Sequence, residues 1–417
     1  MFAFSGLWRN GGFLKLWAGQ TVSLFGSEIT LLALPLTAIL TLHAAPVQLG
    51  FIVAAERTAF ILFSLFAGVW VDRLRRRPIM IAADLGRAVL LGTIPLAATL
   101  HALRIEQLYV VAFLSGILTL FFDVAYTAYL PVLVRREDIG EGNGKLEVSQ
   151  SVAQIAGPGV AGVLVATITA PFAIALDALS FLGSVALLTF INTPEPQLAV
   201  APDRPSIRGE IGEGLRLVMG QPLLRTIAGT TALILFFANM FQAVSVLYLT
   251  RTLGLGPALV GVIFAVGSIG GLLGALLTAP LTRRIGYGPA IIGGVMTLCV
   301  GALAFAAAQG PPAGVAPLLA FAWFLVAVGN VVNNINQVSV RQAMVPDRLQ
   351  GRVSATMRFL AGGLVPLVGA LLGGALGNAI GPRLTVVIAS IGMLVPVTWV
   401  LLSPLRAVRE QPPCLEA

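Results

Sequence analysis

Five carboxyl groups lie inside apolar stretches of this chain: Glu28, Glu56, Asp84, Asp123 and Asp177. A charge at the centre of a bilayer costs roughly 2.5–3.5 kcal/mol even on the gentler insertion scales. Each acid therefore needs a counter-ion, a proton or a wet cavity. Glu28 has Gln20, Ser23 and Ser27 on adjoining parts of its helical face. That stripe is expected to line a central cavity and to make Glu28 a proton-exchange group; the competing reading is a neutral glutamic acid hydrogen-bonded between helices. Asp123 shares its face with Thr119, Tyr126 and Thr127, and reads either as a second protonation or substrate site or as a packing group. Glu56 and Arg57 are neighbours, about 100° apart on a helix, so each is expected to form an outer ion pair across helices. Asp84 and Arg87, one turn apart, are expected at the start of a helix, and Asp177 reads as structural. Asn330, Asn333, Asn334 and Gln337 follow i, i+3, i+4 and i+7, one polar face continued by Arg341. Such amides must look into protein or water.

The elements that carry these groups are membrane spans. Of the 417 residues 57% are hydrophobic and 11% charged, and the mean hydropathy is +0.92. Soluble domains have about 25% charged residues. A span needs about 20 apolar residues, and twelve are expected, at 14–41, 48–71, 78–100, 107–131, 146–168, 171–191, 223–249, 258–281, 287–308, 315–340, 355–377 and 383–405. The first begins too soon and runs too long for a cleavable signal peptide.

The net charge of +8 follows topology, not nucleic acid. With both termini in the cytoplasm, all 26 Lys and Arg fall in cytoplasmic segments except Arg104, Arg251 and Arg383 outside and Arg57 and Arg87 within spans, as the positive-inside rule requires. The two cysteines, Cys299 and Cys414, make neither a disulfide framework nor a metal site. His43 and His101 read as solvated loop residues. No phosphate-binding Gly-x-x-x-x-Gly-Lys-Ser/Thr run is present, no nucleophile–base constellation marks an enzyme, and no cofactor is expected.

Two six-helix bundles, residues 1–192 and 223–417, are expected on either side of a cytoplasmic linker at 193–222. The linker opens proline-rich and ends in a candidate interfacial helix, with Ile207, Ile211, Leu215 and Val218 on one face. The halves look related at an offset of 211, which sets Leu133-Val134 on Met344-Val345 and Pro78 on Pro289. It also sets Arg283 opposite Asp72. A repeat near half the chain length fits transporters built from two bundles.

Two motifs carry a resemblance. Gly68, Asp72, Arg73, Arg76 and Arg77 match the hinge between helices 2 and 3 of the major facilitator superfamily, Gly-x-x-x-Asp-Arg/Lys-x-Gly-x/Arg-Arg/Lys, with Arg75 in place of the second glycine. Ala153-x-x-x-Gly157-Pro158-x-x-Ala161-Gly162 resembles the superfamily's exporter motif in helix 5, with two glycines become alanine. Trp17-Ala-Gly-Gln-Thr-Val-Ser-Leu-Phe-Gly26, Asp84-Leu-Gly-Arg87 and Val345-Pro-Asp-Arg-Leu-Gln-Gly-Arg-Val353 look like the branch of macrolide and multidrug proton antiporters. That branch also holds siderophore exporters and lysophospholipid transporters.

The resemblance implies an all-α membrane protein with twelve transmembrane helices in two pseudo-symmetric bundles around a central cavity. It implies a secondary transporter in the cell membrane, exporting a hydrophobic or amphiphilic small molecule by alternating access with proton antiport. Its partners would be that substrate, protons and membrane lipids, with the chain a monomer. It also implies that Asp72 with Asp84, Arg87 and the hinge arginines forms a cytoplasmic latch. Helix 4 lacks the arginine that the family's drug antiporters often carry. Alternatives at this stage are a siderophore exporter, a lysophospholipid transporter, or a non-transporting sensor or scaffold.

Overall fold

The computed structural model describes residues 6–193, 195, 207–346, 349, 350, 353, 356, 357 and 363–413; the side chains at 6, 9, 65, 66, 68, 69, 72, 73, 207–211, 213 and 214 lie outside that description. The described chain is helical throughout, with no strand. In order the helices are α1 (Gly11–Leu36), α2 (Pro46–Arg73), α3 (Arg76–Thr99), α4 (Ile105–Leu133), α5 (Ile139–Ile168), α6 (Ala170–Thr189), α7 (Ile207–Gly220), α8 (Pro222–Leu247), α9 (Pro257–Ile285), α10 (Tyr287–Ala307), α11 (Pro312–Met344), α12 (Val365–Ile380), α13 (Pro382–Gly392) and α14 (Leu394–Leu401).

Among the described residues eleven stretches are long and apolar enough to cross a membrane, one of them formed by α13 and α14 together. The expected span at 355–377 begins among residues outside the description, and its described part is the 16-residue α12. The last span is broken at Met393 because Pro396 has no N–H and its ring crowds the carbonyl of Gly392.

The chain divides into two compact units, residues 1–44 with 58–202 and residues 45–57 with 203–417, so α2 contributes to both. In unit 1, α6 packs on α1 and α3, α5 on α1, and α4 on α3. Its α3 starts late in the basic hinge because an anion holds its first amides. The Glu195 carboxylate, from the linker, accepts from Arg76 N at 2.7 Å and Arg77 N at 2.9 Å. A carboxylate there satisfies orphan donors and suits the helix dipole. The opposite device ends α6: Arg77 Nε donates to Leu188 O at 2.8 Å, its Nη2 to Thr189 O, and Lys15 Nζ to Phe190 O at 2.5 Å. The α1 N-cap is Asn10, whose Oδ1 accepts from Gly12 N and Phe13 N while its Nδ2 reaches Leu133 O at 2.7 Å, tying α1 to the end of α4.

In unit 2, α11 packs on α9 and α10, and α8 on α12, α13 and α14. Glycine permits the closest approaches. A Cβ on Gly274 would meet Val328 O at 3.0 Å, and one on Gly294 would meet Asn333 N at 2.8 Å. The start of α2 joins this unit in the same way: a Cβ on Gly50 would lie 2.9 Å from Ala370 O and from Gly374 Cα. A helix at 207–220 packs on α8, with Val218 buried and Leu215 exposed.

Candidate functional site

The helix-5 motif and Glu28, which nothing in the sequence connects, meet in unit 1. Gly157 of α5 is pressed on α1 so closely that a Cβ there would overlap Glu28 Cβ and stand 3.1 Å from its Cγ. Ala153 and Ala161, one turn to either side, are fully buried, so a row of small residues sets this approach. Pro158 lies within the same helix, and Gly162 is buried on it. A further bond, Thr21 Oγ1 to Ser149 Oγ at 3.0 Å, ties the two helices. Glu28, Gln20 and Ser27 are half-buried, whereas Ser23 turns inward at 3% exposure. Glu28 is thus fixed at its stem, and the residue as a whole is half-buried.

Asp84 and Arg87, read from the sequence as part of a hinge latch, lie within α3. With α3 starting at Arg76, Asp84 lies eight residues in, about 12 Å along the axis. Asp84 is fully buried and Arg87 is 5% exposed, and the two pair with each other. The guanidinium carbon lies over two rings, 4.6 Å from the centroid of Phe122 on α4 and 4.1 Å from that of Phe181 on α6. Its Nη1 is 3.5 Å from Thr119 Oγ1. Thr119 stands one turn before Asp123 on the same helix. Asp123, next to Phe122, is exposed on α4. Asp177 is buried, accepting from Thr30 Oγ1 at 2.5 Å and Ser180 Oγ at 3.1 Å, with Gly26 of α1 leaving room for it.

The hinge residues Gly68, Asp72 and Arg73 have side chains outside the description, while Arg76 and Arg77 are engaged at the α3 and α6 ends. Glu56 is exposed and Arg57 half-buried; among the described residues neither forms an ion pair, and Arg57 Nε has no hydrogen-bond partner.

In unit 2 the expected amide face divides. Asn333 and Gln337 are buried: Gln337 Nε2 donates to Asn333 Oδ1 at 2.6 Å, and Thr231 Oγ1 of α8 donates to Gln337 Oε1 at 2.8 Å. Asn330 and Asn334 are exposed. The sequence reading missed Asn336, 1% exposed, which accepts from Thr282 Oγ1 of α9 at 2.7 Å. Its place three residues after Asn333 was the available signal.

The Major Facilitator Superfamily profile matches residues 16–366 and 229–413. The chain belongs to this superfamily. It is 29% identical over 381 residues to the multidrug efflux pump Tap of Mycolicibacterium fortuitum, covering 88% of this chain and 90% of Tap. It is 29% identical over 209 residues to macrolide efflux protein A of Streptococcus pyogenes, covering 49% and 51%. The nucleoside transporter NupG has the same fold, with a TM-score of 0.77 at 12% identity over 94% of this chain and 98% of NupG. As a superfamily member the chain is a multi-pass membrane transport protein, not an enzyme.

The duplication expected of the superfamily is visible in fine detail. The starts of α1 and α8 are 211 residues apart, as are those of α2 and α9 and of α3 and α10. So are the π-turns that end α1 and α8, Thr37–Thr41 and Tyr248–Thr252, and the left-handed residues that follow, His43 and Gly254.

Proposed function

We propose that this superfamily member is a proton-coupled exporter of an apolar or amphiphilic small molecule. It works by alternating access of the bundles at 1–192 and 223–417, joined by the linker at 193–222, as a monomer in the cell membrane with both termini in the cytoplasm. Glu28 and Asp123 exchange the protons. The observation that carries this reading is the carboxyl inventory of unit 1. Glu28, Asp84, Asp123 and Asp177 sit within membrane-length helices with, among the described residues, one buried arginine, Arg87. Groups so costly in hydrocarbon are retained where they move ions or protons. The two that are not fully buried, Glu28 and Asp123, are the ones able to trade protons with water. The relatives named as multidrug and macrolide efflux proteins support the direction of transport and the substrate class. Amide positions Asn333, Asn334 and Gln337 supply uncharged hydrogen-bonding groups to the pathway or its walls.

The test is efflux from vesicles carrying a pH gradient, wild type against Glu28→Gln. The variant is expected to lose gradient-driven transport while keeping its membrane level. Undiminished transport would remove Glu28 from the coupling role.

A further inference from the structure

The duplication supplies an internal control for the buried charges. At an offset of 211 the buried face of α3 returns on α10: Met80, Leu91 and Ile94 correspond to Ile291, Ala302 and Phe305, all buried. Asp84 and Arg87 correspond to Val295 and Leu298, which are packed into the apolar core of unit 2. Asp123 corresponds to Asn334, and both are exposed. Asp177 corresponds to Ala389, because α6 and α13 start 212 residues apart. The same helical arrangement is therefore built once around an ion pair and once around two aliphatic side chains. A buried ion pair is often replaceable by apolar residues without loss of stability, and unit 2 is a case within the same chain. Packing alone does not account for Asp84 and Arg87.

We propose that the Asp84–Arg87 pair is the positioning element for Asp123, fixing a permanent positive charge beside a carboxyl that gains and loses a proton. The proposal deepens the proton-coupled reading and rests on it. Arg87 stays charged at any physiological pH, and its guanidinium meets Phe122, Phe181 and Asp84. When Asp123 gives its proton to water, the guanidinium is shared by the Asp84 and Asp123 carboxylates and the three groups carry one net negative charge. When the proton returns, Arg87 and Asp84 leave them neutral. Arg87 reaches the Asp123 side of α4: its Nη1 lies 3.5 Å from Thr119 Oγ1, one turn before Asp123, and its guanidinium carbon stands over Phe122, the residue before Asp123. Arg87 and Asp84 are the charged groups that α3 sets against it. On its own helix Tyr126 lies next, itself acted on by Glu147 of α5. Asp177 of α6 shares the Arg87 charge, and Glu28 of α1, against α5, is the remaining carboxyl in a neighbouring span. Removing the pair also removes the group that sets the balance among them.

The experiment transplants the residues of unit 2: Asp84→Val/Arg87→Leu in the full chain, beside Arg87→Leu alone. Melting in detergent reads folding. Infrared difference spectra against Asp123→Asn, taken across pH, read the protonation of Asp123 without any transported compound. The double variant is expected to melt within a few degrees of wild type, and Arg87→Leu clearly lower because it strands Asp84. In the double variant the Asp123 midpoint is expected to move by at least one pH unit, a tenfold change in proton affinity. An unmoved midpoint in the folded double variant would overturn the proposal. So would a double variant that does not fold, since the pair would then be structural. Both readouts are independent of the Glu28→Gln efflux assay, so failure of proton-coupled export is told apart from failure of the pair.

Discussion

The contact between Gly157 and Glu28 gives a sharp expectation for a single methyl group. In Gly157→Ala the new Cβ would overlap Glu28 Cβ and lie 3.1 Å from Cγ. Carbon atoms settle at about 3.5–4.0 Å. Glu28 Cβ is fixed to the α1 backbone and cannot swing away, so α1 and α5 must part by about 1 Å. Overpacking of this kind costs about 1–3 kcal/mol. Against it stands the helix-propensity gain of Gly to Ala, about 1 kcal/mol, so the variant alone would show little. Gly92→Ala separates the two effects. Gly92 lies inside α3 with nothing within 4 Å of its would-be Cβ, and it collects the gain without the clash. The difference between the variants should therefore be the clash itself, about 1–3 kcal/mol. At about 2 °C per kcal/mol for a chain this large, Gly157→Ala should melt about 2–6 °C below Gly92→Ala in detergent. Efflux should fall with it, because the displaced stem carries Glu28. Equal melting temperatures would show that Gly157 is not pressed on Glu28, and the link between the helix-5 motif and the carboxyl would go.

Two further outcomes follow from the hinge end of unit 1. Glu195→Ala removes the carboxylate that caps α3 and should cost about 0.5–2 kcal/mol, with faster hydrogen exchange at the amides of Arg76 and Arg77; unchanged exchange there would exclude the cap. Asp72→Asn should reduce transport while leaving membrane insertion intact, measured as efflux per unit of membrane-inserted protein. Full activity would leave the hinge motif a positive-inside anchor.

Hydropathy and charge made the spans, the linker helix and the duplication legible, because these depend on periodicity along one segment. The offset of 211 read from a few loop residues reappears in helix starts and π-turns. Contacts between distant segments were not legible. Nothing in Thr193-Pro-Glu-Pro announces that Glu195 will close on amides 118 and 119 residues earlier. The surroundings of Asp84 and Arg87 were hidden for the same reason. The expected span at 78–100 already held the pair within a helix, but nothing local to it announces that Phe122 and Phe181 of other helices close over the guanidinium. The amide face was legible as a face but not in its division. Which amides are buried depends on α8 and α9, which supply Thr231 and Thr282.

The duplication also bears on why the acids crowd into one half. Glu28 and Asp123 correspond, at 211 residues, to Asn239 and Asn334. An amide has nearly the shape of the protonated acid and never ionises. Unit 2 therefore holds, at both places, the neutral form that unit 1 reaches only by taking up protons. A pH gradient can shift a two-state equilibrium only through groups whose protonation differs between the states. Of these four positions, only the two in unit 1 can change charge. The asymmetry at the hinge, Asp72 against Arg283, points the same way. Two copies of one fold have kept their packing and divided their chemistry, with the ionisable groups placed where Arg87 stands and the apolar core where Leu298 replaces it.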